Sequence, residues 1–287
     1  MPTDPQALYP KLINLMLDTV FVVDGDNQII FVSEACEALL GYRADELTGT
    51  SIVNYIHPDD LAATRVSMLR VMNGQPHVDF RNRYLRKDGG IVHILWSARW
   101  YEAEGVRIGV ARDVTALMQA EAELRFLAHH DPLTALANRS LFYDRLESGL
   151  RTAHRHQSRL ALLFLDINDF KYINDVHGHA VGDSVLCKVA RGLEGCVRET
   201  DTVARMGGDE FTVLLTDIQS TDAVAAKVEQ ILMVVNAPLG AEFGGVSMPS
   251  CSIGVACYPT DGEDADTLLG HADGHMYRIK RHRSLVG

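Results

Sequence analysis

The chain has 287 residues, of which 47% are hydrophobic and 23% are charged, and this composition predicts about two globular domains with ordinary cores. The formal net charge of -11 argues against general binding to nucleic acids or anionic membranes, because both need a basic surface. Apolar runs fall well short of the ~20 residues of a membrane span, and the N-terminus lacks a signal-peptide pattern. We therefore expect a cytoplasmic protein with no nucleic-acid or membrane partner.

Residues 10–116 are predicted to form a first domain of alternating strands and short helices. The turn Gly25-Asp26-Asn27 separates two strand-like runs and predicts a β-hairpin. The predicted elements are, in order, strands at 19–24 and 28–32, helical segments at 33–40 and 59–72, and strands near 80–86, 92–100 and 106–112. This order indicates an α+β domain with an antiparallel sheet that has one concave face.

Short motifs in this region resemble those of the PAS sensor family. They are Asp24-Gly25-Asp26-Asn27, Gly41-Tyr42, Ile56-His57-Pro58-Asp59-Asp60 and Asp113-Val114-Thr115. The resemblance implies a sensor domain but leaves its ligand unknown, since members of the family bind haem, flavin, small acids or nothing. We interpret His57 as part of a helix start and not as a haem ligand. Trp96 and Trp100 share one face of a strand, where we expect them in the core or at a dimer surface.

Residues 117–128 are predicted to form a linker helix between two domains. Leu117, Ala120, Leu124 and Leu127 are spaced 3, 4 and 3 apart, which is the pattern of a coiled-coil seam. We favour a parallel homodimer through this seam. The alternative is a helix that packs against its own domain.

Two acidic positions stand out in the rest of the chain. Asp166 closes the apolar run 160–165, which predicts a buried central strand with an acid at its end, where α/β proteins place their chemistry. Further on, the pair Gly207-Gly208 predicts a hairpin turn that presents Asp209 and Glu210. For that turn alone, a solvated surface hairpin is the simpler interpretation. Adjacent carboxylates suit a divalent cation, and Asp166 favours that second interpretation.

Residues 129–287 are predicted to form the second domain, and essentially all of 129–283 resembles the GGDEF-domain diguanylate cyclases, with several motifs in the family's order. They are Asp131-Pro132-Leu133-Thr134, Leu165-Asp166-Ile167-Asn168-Asp169-Phe170-Lys171, Gly207-Gly208-Asp209-Glu210-Phe211 and Ser252-Ile253-Gly254-Val255-Ala256. The resemblance implies an α/β palm-like domain whose mostly antiparallel sheet is flanked by helices. It also implies the condensation of two GTP into cyclic di-GMP with release of two pyrophosphate. A homodimer is implied as well, because each domain would hold one GTP.

The family match assigns the metal and catalytic residues. Two Mg²⁺ ions per active site would be held by Asp166, the backbone carbonyl of Ile167 and Asp209, and would neutralise phosphate charge and align the reactants. Asp209 is the candidate that helps to deprotonate the attacking 3′-hydroxyl. Glu210 lies beside it in a supporting acid–base or metal role.

The same match assigns substrate contacts near a predicted helix start. The amides of Phe170 and Lys171, with the lysine ammonium, would hold the triphosphate. Guanine offers an acceptor at O6 and donors at N1 and N2. The Asn174 amide and the Asp183 carboxylate would satisfy these groups between them. For each residue taken singly, a helix cap is an equally good interpretation.

Gly207, Gly208, Lys280 and Arg283 complete the expected substrate site. The two glycines allow a bulky anion to approach the backbone. Lys280 matches a phosphate contact of the family, but Ser284 stands where the family has an arginine four residues later. We therefore assign that role to Arg283.

Arg198 and Asp201 stand at the spacing of the family's inhibitory site, which binds the product cyclic di-GMP. A guanidinium can grip a phosphate or a guanine edge, and a carboxylate can accept from guanine. The alternative is a local ion pair between these two side chains. Product inhibition is therefore a hypothesis.

The sequence as a whole favours a cyclase that a PAS domain regulates. One alternative is an inactive GGDEF domain that acts as a cyclic di-GMP receptor, which the intact Asp166, Asp209 and Glu210 argue against. The other is a PAS-driven dimerisation scaffold whose output is protein contact alone.

Overall fold

The computed structural model describes residues 15–237 and 250–286, together with Leu8, Leu12 and Ile13, and gives only the backbone for 284–286. The predicted start of the first domain at residue 10 and the side chain of Ser284 therefore lie outside the described residues. The chain divides into two compact units, Met1–Glu123 and Leu124–Gly287. None of the helices in the described part combines the length and the apolar character that a membrane crossing needs.

The first unit contains a five-stranded sheet with short helices. Its elements are β1 (Thr19–Asp24), β2 (Ile29–Val32), α1 (Cys36–Leu40), α2 (Ala44–Leu47), α3 (Leu61–Met72), β3 (His77–Leu85), β4 (Ile91–Tyr101) and β5 (Val106–Asp113). The strand order is β2-β1-β5-β4-β3, and every neighbouring pair is antiparallel. The predicted hairpin and three-strand meander are therefore confirmed.

The core of this unit is built around Trp96 on β4. Its ring lies 5.5 Å from that of Phe21 and 5.6 Å from that of Tyr84, and its Nε1 donates to Asn82 Oδ1 at 2.9 Å. A Cβ at Gly109 would lie 3.1 Å from the Trp96 ring, which explains why the neighbouring strand has a glycine there. The core interpretation of Trp96 is therefore confirmed.

A single helix, α4 (Thr115–His129), spans the boundary between the two units and buries none of its residues. Leu117, Leu124 and Leu127 are 57%, 68% and 44% exposed. Leucines exposed in this way along one stripe do not fit the alternative of a helix packed against its own domain. These leucines lie on the predicted coiled-coil seam, and the homodimer through that seam stays a prediction.

The second unit contains a four-stranded antiparallel sheet in the order β7-β8-β6-β9. Its elements are α5 (Arg139–His156), β6 (Leu160–Ile167), α6 (Phe170–His177), α7 (His179–Cys196), β7 (Thr202–Gly207), β8 (Glu210–Leu215), α8 (Thr221–Val235), β9 (Cys251–Tyr258) and α9 (Ala265–Val286). The predicted buried central strand is β6, which is buried at all eight positions.

Alternate residues of β6 enter two separate cores because successive side chains of a strand point to opposite faces. Leu163 and Leu165 pack with residues of α7 and α8 on one face. Leu162 and Phe164 pack with residues of α5 and α9 on the other face. Two helices thus cover each face of the sheet, and the side chains on both faces of β6 are buried from solvent.

Gly254 allows the backbone of α9 to lie directly on β9. A Cβ at this position would overlap the carbonyl oxygen of Ala272 and the amide nitrogen of Met276. Backbone atoms of a packed helix cannot turn aside as a side chain can. The close approach therefore fixes the height of α9 above the sheet, and with it the position of Lys280 one turn further along.

We expect Gly254→Ala to destabilise the second unit by about 1–3 kcal/mol, as overpacking of a tight core does. Urea unfolding monitored by circular dichroism measures this loss. Gly270→Ala is the matched control, because it lies on α9 with no heavy atom within 4 Å of its Cβ position. It should be neutral or slightly stabilising. Equal stability of both variants would contradict the proposed role of the Gly254 contact.

Candidate active site

The hairpin between β7 and β8 carries Asp209 at its tip. Gly207 pairs with Glu210, so the two-residue turn is Gly208-Asp209, and Glu210 already belongs to β8. Gly207 and Gly208 have φ values of +141° and +55°, which residues with a side chain rarely adopt. No heavy atom lies within 4 Å of a Cβ placed on either glycine. The turn therefore leaves an open surface beside the acidic residue.

Arg205 holds this turn in place from within β7. Its Nη1 donates to both carboxylate oxygens of Asp131 at 3.0 and 3.1 Å, while its Nε and Nη2 donate to the Gly208 carbonyl at 3.0 and 2.8 Å. Burial raises the pKa of Asp131, but hydrogen bonds from Thr134 and Arg205 outweigh it and hold the pKa below its usual value. Arg205 is not among the site residues predicted from the sequence. The signal for this pair in the sequence is Asp131, the acidic residue of the motif that opens the second domain.

The register of the sheet brings the acidic positions together. Asp166 on β6 pairs with Glu210 on β8, and the Ile167 amide donates to the Asp209 carbonyl at 3.2 Å. Asp166 is only 8% exposed. The end of the buried strand and the hairpin tip therefore form one acidic site, as the two separate sequence patterns suggested.

The charge of Asp166 is only partly balanced by its neighbours. Burial raises the pKa of Asp166, and the carboxylates of Asp209 and Asp273 add to this. Lys280 Nζ lies 2.5 Å from Asp166 Oδ1 and acts in the opposite direction. The net result is a raised pKa, which burial causes first and the neighbouring carboxylates increase.

Glu210 lies in the same field. Burial raises its pKa, as do Asp166, Asp209 and Asp273, whereas Arg139 at the start of α5 acts against them. Asp273 and Arg139 are not among the site residues predicted from the sequence. Asp273 is on α9 and Arg139 on α5, so only the fold shows that both act on Glu210.

Oxygen ligands of the kind that Mg²⁺ prefers are present at this site. Asp166 and Asp209 provide carboxylates, and Ile167 provides a carbonyl. In the described ranges, no group of three or more His, Cys, Asp or Glu side chains forms a complete metal-binding cluster. Mg²⁺ commonly takes one or two carboxylates from the protein and the rest from phosphates and water. Asp209 and Asp273 add a repulsion at Asp166 to the effect of burial, and a cation would relieve that repulsion, so the residues fit the ion.

The expected guanine contacts lie at the junction of α6 and α7. A Cβ at Gly182 would overlap the side-chain oxygen of Asn174, and Asp183 follows as an exposed residue. Helix α6 begins at Phe170, the expected triphosphate contact, and Lys171 is exposed beside it. The fold thus brings Asn174 next to Gly182 and Asp183.

The two cations expected near the C-terminus both lie on α9. Lys280 contacts Asp166, as described above. Burial raises the pKa of the Cys251 thiol to about 12, and Arg283 counteracts this effect. Cys251 pairs with Ile167 across the sheet, so Arg283 acts at the same end of β6.

A separate groove of about 700 Å³ is lined by α5 and by the loop before β7. Arg198 and Asp201 line it together with Arg145 and Arg159. Asp201 accepts from the backbone amides of Arg198 and Thr216, each at 3.0 Å. Within the described ranges, no ion pair joins the side chains of Arg198 and Asp201, so the alternative interpretation of this motif is not observed.

An antiparallel sheet with two helices on each face and an acidic hairpin beside its central strand corresponds to a known family. Residues 128–284 match the family model described as diguanylate cyclase, GGDEF domain, and residues 29–111 match the PAS fold. The chain belongs to the GGDEF family. It contains a PAS domain followed by a GGDEF domain.

Several similar proteins match little more than half of the chain, and the chain spans less than half the length of the first of them. Diguanylate cyclase TpbB of Pseudomonas aeruginosa is 43% identical over 165 residues, which is 58% of this chain and 38% of that protein. A structure of the TpbB GGDEF domain alone has 44% identity and a TM-score of 0.52, covering 54% of this chain and 90% of that one. The coiled coil and GGDEF domain of DgcB from Caulobacter crescentus, in complex with c-di-GMP, has 28% identity and a TM-score of 0.52, covering 59% and 89%.

Proposed function

We propose that this chain is a diguanylate cyclase that condenses two GTP into cyclic di-GMP and releases two pyrophosphate, under the control of its PAS domain. The observation that carries the proposal is the acidic site itself. Asp166, Asp209 and Glu210 meet at one end of the sheet with Lys280 beside them. A receptor or scaffold would not need this arrangement of charge.

In the proposed mechanism, the residues of the site divide the work between phosphate binding and proton transfer. Two Mg²⁺ bound to Asp166, Asp209 and the Ile167 carbonyl would supply charge neutralisation at the triphosphate. Asp209 accepts the proton of the attacking 3′-hydroxyl, and Glu210 supports it. The open surface beside Gly207 and Gly208 gives that hydroxyl access.

Further residues hold the substrate. The amides of Phe170 and Lys171 at the start of α6, with the Lys171 ammonium, bind the triphosphate. Lys280 and Arg283 lie on the same helix and would bind the phosphates, where the Lys280 ammonium lies close enough to contact Asp166 as well. Positioning of this kind contributes much of the rate of a phosphoryl transfer.

Asn174 and Asp183 select guanine. Guanine offers an acceptor at O6 and donors at N1 and N2, which an amide and a carboxylate satisfy together. Adenine would place an acceptor against the Asp183 carboxylate and leave a polar group unpaired. An unpaired group of this kind is costly, so the pair disfavours ATP.

The active enzyme is a homodimer, because one domain binds one GTP and the reaction needs two. The exposed leucines of α4 support a parallel coiled coil as the contact. The matched DgcB structure also contains a coiled coil together with its GGDEF domain. Such a helix would carry a change in the PAS sheet to the catalytic domains.

The groove at Arg198 and Asp201 is the proposed site of product inhibition. Arg145 and Arg159 line the same groove, so it offers several guanidinium groups to a phosphate-bearing ligand. Asp201 accepts hydrogen bonds from the backbone amides of Arg198 and Thr216 and so stabilises the loop. The Arg198 guanidinium is then available to bind the ligand.

We expect the full chain, stripped of bound cyclic di-GMP, to convert GTP into cyclic di-GMP with Mg²⁺, and Asp209→Ala to lower the rate by about 10²–10⁴-fold. Chromatography of the products measures this. Glu229→Ala, on an exposed face of α8, is the control and should retain activity. Absence of product from the stripped wild type, with cyclic di-GMP still bound on titration, would indicate a receptor. A cellular phenotype that survives Asp209→Ala would indicate a scaffold.

We expect Gly182→Ala to raise the KM for GTP about five- to tenfold, because the new methyl displaces the Asn174 amide and weakens a guanine hydrogen bond. The fold should tolerate the change, since the displaced atom ends a flexible side chain. Initial rates against GTP concentration measure the effect. Gly195→Ala, on the same helix with open space around its Cβ position, should leave the KM unchanged. A KM shift shared by both variants would contradict the guanine assignment.

We expect Arg198→Ala to weaken cyclic di-GMP binding. The cyclic di-GMP concentration at which the variant keeps half of its uninhibited rate should rise by about tenfold or more. Calorimetry and inhibition curves measure the two effects. Arg191→Ala is the control, because Arg191 is exposed on α7 and does not line the groove. Unchanged inhibition in Arg198→Ala would remove this site from the proposal.

A further inference from the structure

Three polar side chains lie beside the acidic site, at the end of β6 and the start of β9. Asn168 is 8% exposed and Ser252 is 1% exposed, while Ser250 is half-buried. Ser252 pairs with Asp166 across the two strands, and the Asn168 amide nitrogen donates to the Ser250 carbonyl at 2.8 Å, which continues the same register. Because alternate residues of a strand share a face, Asn168 lies on the side of the sheet that carries Asp166.

The side-chain amide of Asn168 joins the two serines. Its Nδ2 donates to Ser250 Oγ at 3.0 Å, and its Oδ1 accepts from Ser252 Oγ at 2.9 Å. An amide offers both a donor and an acceptor, so it can bond two hydroxyls at once. Removing one member of a buried network leaves another polar atom unsatisfied, which is costly. Asn168 is therefore held to the β9 side of the sheet by its backbone and by both ends of its side-chain amide.

The turn that follows Asn168 has an unusual backbone. Asp169 has a φ of +57° and a ψ of +23°, a left-handed conformation that residues with a side chain adopt at an energetic cost. Its side chain forms no capping hydrogen bond with α6, which begins at Phe170. A conformation of this kind persists where surrounding contacts hold it. The hydrogen bonds of Asn168 provide such a restraint immediately before the turn.

The same short segment carries the backbone groups that the proposed function uses. The Ile167 carbonyl is the expected metal ligand, and the amides of Phe170 and Lys171 are the expected triphosphate contacts. On the side of β8, the Ile167 amide donates to the Asp209 carbonyl at 3.2 Å. Backbone groups have no rotamers with which to adjust, so their positions depend on how the turn is held. The anchor at Asn168 thus acts on ligand groups that it does not itself provide.

We propose that Asn168 is a positioning residue, which through Ser250 and Ser252 fixes the turn that presents backbone groups to Mg²⁺ and to the triphosphate. It acts through its neighbours and does not touch the reacting atoms. A neutral amide does this without adding another negative charge beside Asp166. The inference rests on the proposed cyclase function and names a further residue on which that site depends.

Asn168→Ala is the variant that tests the role, in the full chain stripped of cyclic di-GMP. We expect the Mg²⁺ concentration that gives half the maximal rate at saturating GTP to rise about tenfold or more, as loss of a group that orients a metal ligand does. Calorimetry with Mg²⁺ and guanosine α,β-methylene triphosphate, whose α–β bridge the reaction cannot cleave, measures binding without turnover. The affinity for this analogue should fall by a similar factor.

Two further variants separate positioning from stability. Ile231→Val truncates a fully buried side chain of α8 and so destabilises the same unit, but it lies outside the network. Its Mg²⁺ dependence and its affinity for the analogue should match the wild type. Asn168→Asp should bind the analogue more tightly than Asn168→Ala, because a carboxylate accepts from both serine hydroxyls. Urea unfolding measures the stability of all three variants.

A double-mutant cycle tests the network directly. Ser252→Ala alone should weaken binding of the analogue, whereas it should add little in the Asn168→Ala background, because both changes remove the same hydrogen bond. If circular dichroism shows that Asn168→Ala is misfolded, Ser250→Ala replaces it, since this change removes only the other hydrogen bond of the amide. We expect Ser250→Ala to weaken binding of the analogue as well.

Three outcomes would overturn the inference. A folded Asn168→Ala that is less stable but keeps the wild-type Mg²⁺ dependence and analogue affinity would show a structural role only. Asn168→Asp that binds as weakly as Asn168→Ala, or additive effects of Asn168→Ala and Ser252→Ala, would exclude anchoring through the serines. A wild type that binds the analogue but forms no cyclic di-GMP would refute the proposed function instead, and the affinities of the variants would still decide the role of Asn168.

Discussion

The register of β6 between its two neighbours is the constraint on which the acidic site depends. It places Asp166 opposite Glu210 and lets the Ile167 amide reach the Asp209 carbonyl. A slip of one residue would turn every side chain of the strand to the opposite face, exchanging the two cores as well as removing the acid from the site. Because both faces of β6 are buried, the same packing that stabilises the domain also fixes its chemistry.

Concentrating acids at this end of the sheet opposes stability, and the structure counters the repulsion locally. Arg205 joins the hairpin to Asp131 through a pair in which both side chains are less than a fifth exposed. Lys280 is brought to Asp166 by α9, whose backbone lies on β9 at Gly254. These contacts leave an excess of negative charge, so the site is stabilised further by whatever cations it binds.

The sequence predicted the parts of this structure that local patterns determine. The apolar run of β6, the glycine pair of the hairpin and the meander of the first unit each follow from residues close together in the chain. It could not predict that Arg205 pairs with Asp131, 74 positions earlier, or that Asp273 and Arg139 act on Glu210, because these contacts exist only once separate helices and strands have packed. Glu210 was expected in the turn, but β8 already begins there, since pairing with Gly207 extends the ladder. In the sequence, Arg107 on β5 looks like an ordinary polar strand residue. It is only 6% exposed, because it lies on the covered face of the sheet.

The two units share one physical feature, which is a charge that the protein itself does not balance. In the first unit the charge is the guanidinium of Arg107, whose Nη1 is buried and has no hydrogen-bond partner among the described residues, and in the second it is a group of carboxylates. Burial makes an unbalanced charge costly in both places, so each is stabilised by any oppositely charged group that it binds.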